Sequence, residues 1–212
     1  MTGSSSERAG DVPRLHLILK GPDRHEKDQV RAVLDVGGPA LAIHLRAPDL
    51  SGAELYDAAG WLVTECQARG ALAFVNDRLD VALAAGAAGT HLKAESMEPE
   101  AARRIAKGGM LLGRSIHSAA EAADLKGSPI DYLFLGSVYD TPSHPGRPPI
   151  GVGAVQSAVT EADVSVIAIG GVTPERLPEL VGTGIHGVAA LSSVWGADHP
   201  ASVVSAYLEG LS

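Results

Sequence analysis

The chain has 212 residues and a net charge of −8, from 25 acidic residues against 17 Lys and Arg, and is 45% hydrophobic but only 4% aromatic. That profile is globular, with a core drawn from Ala, Val, Leu and Ile; the negative balance without a Lys/Arg run argues against a nucleic-acid-binding module. The single cysteine, Cys66, excludes an internal disulfide and a Cys-based zinc site, and no apolar run reaches the ~18 residues of a membrane helix.

Residues 1–13 begin MTGSSSERAG, polar and Ser-rich with no apolar stretch. They read as a disordered tail rather than a secretory signal, and the expected location is the cytoplasm. From residue 14 to 212 the pattern is that of one domain. Short apolar runs recur, each followed by a helix-like stretch. The runs are Leu15–Lys20, Ala40–Arg46, Ala71–Asp77, Gly89–Leu92, Met110–His117, Tyr132–Val138, Val164–Gly171 and His186–Val194. Continuous rather than alternating apolar runs suit strands covered on both faces, as in a parallel sheet.

Helix starts punctuate the gaps. Ser51…Glu54 and Ser118…Glu121 have capping-box spacing, and Thr173-Pro174 sets a cap residue before a first-turn proline. Pro200–Leu211 reads as a closing helix. Eight β-then-α units in about 200 residues predict a single (β/α)8 TIM barrel. An open doubly wound sheet is the competing architecture, but the first strand leads into Gly21-Pro22-Asp23 with no G-x-G-x-x-G fingerprint.

In a barrel, chemistry belongs at the C-terminal strand ends. Gly170-Gly171 after the seventh strand and Leu191-Ser192-Ser193 after the eighth form the expected phosphate cradle. Glycines admit close backbone approach, and helix N-termini favour anions. Arg46 suits a carboxylate through paired hydrogen bonds. His117 ends the fifth strand beside a helix cap, and imidazole exchanges protons near neutral pH. The Pro- and Gly-rich 140–150 segment, with His144 and Arg147, is the natural flap over a ligand. No histidine pair has zinc-helix spacing, so no zinc site is expected.

The runs FVNDRLDVALAAGAAGTHL, GRSIHS, DYLFLGSVYDTPSHPG, PIGV, VIAIGGVTPERL and GVAALSSV together resemble the thiamine phosphate synthase/TenI superfamily, across roughly Leu15 to Val194. The resemblance implies the same barrel and two possible activities. A synthase joins a hydroxymethylpyrimidine pyrophosphate to a thiazole phosphate and uses Mg²⁺ on the pyrophosphate. A TenI-type tautomerase aromatises a carboxythiazole phosphate without metal.

The synthase run Gln-x-Arg-x-Lys is His44-Leu-Arg46-Ala-Pro48 here, and its Asn-Asp is present as Asn76-Asp77. The second Asp expected of a Mg²⁺ site is Ser96, and a late lysine is His144; Glu95 or Lys93 compensates only in part. Gly113–Ser118, GRSIHS, is similar to the TenI run. The leading expectation is therefore a metal-independent thiazole tautomerase without cofactor, with His117 as acid/base. His44, Arg46, Asn76, Arg114, Ser115, Gly136 and Thr141 are expected on the substrate, with Gly170, Gly171, Leu191, Ser192 and Ser193 on its phosphate. The alternatives are the Mg²⁺-dependent synthase and a non-catalytic phosphate-binding barrel. A thiazole phosphate is the expected partner, with neither nucleic acid nor membrane, and the resemblance implies a homo-oligomer.

Overall fold

The computed structural model describes residues 12–212 except 22, 107, 108, 142–145 and 147. Eight strands follow one another around a closed parallel barrel, β1 pairing with β2 on one side and β8 on the other. They are β1 Leu15–Leu19, β2 Leu41–Leu45, β3 Leu72–Asn76, β4 Gly89–Leu92, β5 Leu111–Ile116, β6 Tyr132–Leu135, β7 Ser165–Ile169 and β8 Gly187–Ala190. The barrel expectation holds, and an open sheet is excluded by the β1–β8 ladder, Leu15 to Val188 through Leu17 to Ala190.

The helices are α1 Arg24–Gly37, α2 Gly52–Gln67, α3 Leu79–Ala85, α4 Pro99–Ile105, α5 Ala119–Asp124, α6 Gly151–Glu161, α7 Leu177–Val181, α8 Ser192–Trp195 and α9 Pro200–Gly210. Among the described residues no helix is long and apolar enough to cross a membrane. Ser51 and Glu54 form both bonds of the predicted capping box. At α5 the box slips by one residue. Ser118 Oγ accepts the Glu121 N–H, but Glu121 Oε2 accepts the N–H of His117. Thr173-Pro174 opens a 3₁₀ turn, Pro174–Arg176, before α7. Asp23 and Glu26 form a further capping box at α1, unread in the sequence.

Side chains alternate across each strand. Leu15, Leu17, Leu41, Ile43, Leu45, Val75, Leu133, Leu135, Val166 and Val188 pack outward with the helices in one large apolar cluster. Ile18, Ala42, Phe74, Leu111, Tyr132, Phe134, Ile167 and Ala189 fill the barrel interior, with Val12 buried among them. Both phenylalanines of the chain lie in this interior, beside Tyr132. Glycines make room for them. A Cβ on Gly89 would stand 2.3 Å from Phe74, and one on Gly113 2.1 Å from Tyr132.

His16, His44 and His91 are buried in the same interior. His44 stacks on Phe74, with centroids 4.5 Å apart, and His91 packs on Phe134 at 4.2 Å. Burial, with the neighbouring His44, holds His16 well below the ordinary histidine range; burial, with His91, does the same to His44. Burial likewise drives His91 down to about 3.

Candidate active site

A cavity of about 360 Å³ opens at the C-terminal ends of the strands. That is where the barrel architecture puts function. Ile18, His91, Phe134 and Ile169 form its floor, Arg46, Asn76 and Lys93 one wall, Ser115, Ile116 and His117 another. Gly136, Ser137, Thr141, Gly170, Gly171 and Leu191 to Ser193 line the remainder.

The ends of β7 and β8, the expected phosphate cradle, both border the cavity. Gly170 and Gly171 have φ of 98° and 64°, a region that favours glycine. A Cβ on Gly171 would stand 2.4 Å from the Asp140 carbonyl oxygen, so the loop after β6 packs directly on this turn. Tyr139 N–H donates to Gly170 O, and Arg176 donates to Gly171 O while covering the Tyr139 ring. α8 begins at Ser192, and its first N–H groups have no acceptor within the helix. Tyr207 donates its only proton to Val172 O at 2.7 Å. In the 2.8 Å contact between Ser193 Oγ and Tyr207 OH the serine must therefore be the donor. The Ser193 hydroxyl proton is thus spent, and the residue offers its backbone N–H to the cavity. Ser192 keeps its hydroxyl.

Two residues expected on the ligand do not line the cavity. Arg114 alternates with Gly113, Ser115 and His117, so its side chain leaves the barrel interior. Its guanidinium donates to Met97 O and Ala94 O, both at 2.6 Å, and pins the loop after β4. His44 lies beneath Arg46, one strand period deeper, and is fully buried.

His44 acts on the site through Asn76. His16 Nε2 is 2.8 Å from Pro13 O, which can only accept, so this nitrogen carries a proton. Burial keeps the ring neutral, leaving His16 Nδ1 bare. His44 Nε2, 2.8 Å away, is then the donor, and His44 Nδ1 is bare. The Asn76 amide oxygen, drawn 3.3 Å from that bare nitrogen, would set acceptor against acceptor. The amide is therefore turned so that its NH₂ donates to His44 and its oxygen faces the cavity.

His117 lines the cavity with Nδ1 3.5 Å from Glu121 Oε2. Ser115 Oγ lies 2.8 Å from His91 Nε2. The structure thus brings together Arg46, Asn76, Ser115, His117, Gly136, Thr141 and the cradle residues. Sequence reasoning missed the ion pair of Lys93 with Asp77, 2.7 Å apart. The two residues end adjacent strands, which was the available signal. His144 and Arg147, the proposed flap contacts, and residues 1–11 of the expected tail lie outside the described residues.

The family model described as "Thiamine monophosphate synthase" matches residues 15–194. A thiamine-phosphate synthase of Salinispora arenicola is 37% identical over 93% of this chain and 97% of its own length. One from Pyrococcus abyssi is 36% identical over 87% of each. The solved thiamine phosphate pyrophosphorylase of Pyrococcus furiosus superposes with a TM-score of 0.82 at 30% identity, covering 97% of both chains. These likenesses overturn the tautomerase expectation, because relatives matched over nearly the whole chain are named synthases. That expectation leaned on Arg114 with His117, and Arg114 is turned to backbone carbonyls outside the cavity. The chain belongs to the thiamine monophosphate synthase (TMP-TENI) family.

Proposed function

We propose that the protein is an enzyme of thiamine biosynthesis, a transferase joining a pyrimidinylmethyl pyrophosphate to a thiazole phosphate. The supporting observation is a single cavity with two poles for anions: the glycine cradle at β7 and β8, and the cations Arg46 and Lys93 at β2 and β4. Two phosphorylated substrates need two such poles.

In the reaction the thiazole nitrogen attacks the pyrimidine methylene carbon. A C–N bond forms, the C–O bond to pyrophosphate breaks, and its electron pair stays on the departing oxygen. No proton transfer is required at the reacting carbon. The task of the protein is to align the rings and neutralise the leaving group. Gly171, Ser192 and Ser193 N–H groups receive the thiazole phosphate, with Ser115, Gly136 and Thr141 along the ring. Arg46 and Lys93 receive the pyrophosphate, and Phe134 with Ile169 supplies an apolar floor. His117 is a polar wall residue in this reading.

Family resemblance implies Mg²⁺ on the pyrophosphate. Among the described residues no three His, Cys, Asp or Glu side chains converge as a metal site. Asp77 already has both carboxylate oxygens engaged by Lys93. This donor set does not fit a metal held by the chain alone.

The test is incubation with both substrates and detection of thiamine phosphate with equimolar pyrophosphate. Arg46→Ala is expected to lower kcat/KM by roughly 10- to 100-fold, the worth of one charge-assisted contact. Absence of product from the wild type, with both substrates intact, would end this reading.

A further inference from the structure

Asp77 follows β3 with a φ of 61°, a left-handed conformation uncommon outside glycine. Its N–H donates to His91 O at 2.9 Å, tying it to β4. Its carboxylate then grips one residue twice. Oδ1 accepts the Lys93 backbone N–H at 2.9 Å, and Oδ2 lies 2.7 Å from Lys93 Nζ. The lysine stem, otherwise free to rotate, is fixed at both ends. An ammonium has three N–H donors. Asp77 takes one and leaves two.

Lys93 lines the main cavity and also a side pocket of about 210 Å³. Arg46 and Asn76 border both spaces as well. Two cations therefore stand where the pockets meet, with one of them held by a carboxylate. A divalent cation on Asp77 would have to displace the ammonium from Oδ2 and would then face it at close range. Ser96, on the loop after β4, adds no charge against that repulsion.

We propose that the Lys93 ammonium, positioned by Asp77, takes the role expected of a carboxylate-bound Mg²⁺, so that this chain binds inorganic pyrophosphate without a divalent cation. The inference rests on reading the cavity as a synthase site and names which of its groups hold the leaving group. Asp77 becomes a positioning residue for a lysine instead of a metal ligand. Glu95, which also lines the cavity, is the remaining carboxylate able to meet a metal carried in by the pyrophosphate.

The experiment is calorimetric titration of the full chain with inorganic pyrophosphate, in EDTA and in Mg²⁺. Wild type is expected to bind in EDTA, and Lys93→Met to lose at least about tenfold there. Lys93 is exposed, so its variant should keep the wild-type unfolding temperature, which circular dichroism checks. Asp77→Asn should still bind in EDTA, more weakly than wild type but less weakened than Lys93→Met, since Asn still accepts the Lys93 N–H while the ammonium loses its carboxylate partner. Binding seen only with Mg²⁺ and abolished in Asp77→Asn would overturn the proposal, as would EDTA binding indifferent to Lys93→Met. Pyrophosphate binding as described, without thiamine phosphate formation, would sink the proposed activity and leave the Lys93 site standing.

Discussion

At the scale of single residues, the hydrogen bonds of His16, His44 and Asn76 admit one proton arrangement. Nitrogen-15 NMR of the imidazoles should show both His16 and His44 as neutral Nε2–H tautomers at pH 7. Asn76→Asp replaces a donor with an acceptor facing His44 Nδ1. The expected result is a shift of His44 toward the imidazolium form, with Asn76→Leu leaving it neutral. A wild-type His44 protonated at Nδ1 would refute the arrangement. The sequence put both His44 and Arg46 on the substrate, because it could not resolve depth. Residues two apart share a face while standing about 6.6 Å apart along the strand. One therefore reaches the ligand and the other the interior. Arg114 was legible in principle, because alternation from Gly113, Ser115 and His117 sends it outward. The Asp77–Lys93 pair was legible in the same way, because the expected barrel sets the ends of the third and fourth strands side by side.

At the scale of elements, all eight strands were legible as apolar runs bounded by glycine, proline or cap residues. Overshoot occurred where a run continues into a functional loop. His186–Val194 was read as one strand, but β8 stops at Ala190 and α8 starts at Ser192. Apolar character alone does not mark that change of direction. Small residues facing large rings are the device that fits this interior. Gly113→Ala should destabilise by about 1–3 kcal/mol through overpacking against Tyr132. For a chain of this size that lowers Tm by roughly 2–4 °C per kcal/mol. Adding Tyr132→Leu should recover part of the loss. A Gly113→Ala chain as stable as wild type would show that the barrel yields there instead.

At the scale of the whole molecule, three neutral histidines make the fold sensitive to mild acid. Unfolded, each titrates near 6.5; folded, burial holds all three lower, His91 at about 3. Below about pH 6.5 the unfolded chain binds more protons, so stability is fully present above that pH and lost as pH falls. Each histidine contributes up to about 1.4 kcal/mol per pH unit. The urea midpoint should fall clearly from pH 7.5 to 5.5, before most carboxylates titrate. A flat profile over that range would mean the histidines are protonated in the native state. Barrel closure has a separate consequence. Val188 N–H donates to Arg14 O, His186 Nε2 lies 2.7 Å from Val12 O, and Trp195 donates to Ile18 O. The edge of the first strand that faces away from β2 is thus secured by residues made some 170 positions later. During vectorial synthesis on a ribosome, β1 must wait with one open edge until β8 emerges. A nascent chain halted before that point offers two unpaired sheet edges, a natural target for holdase chaperones.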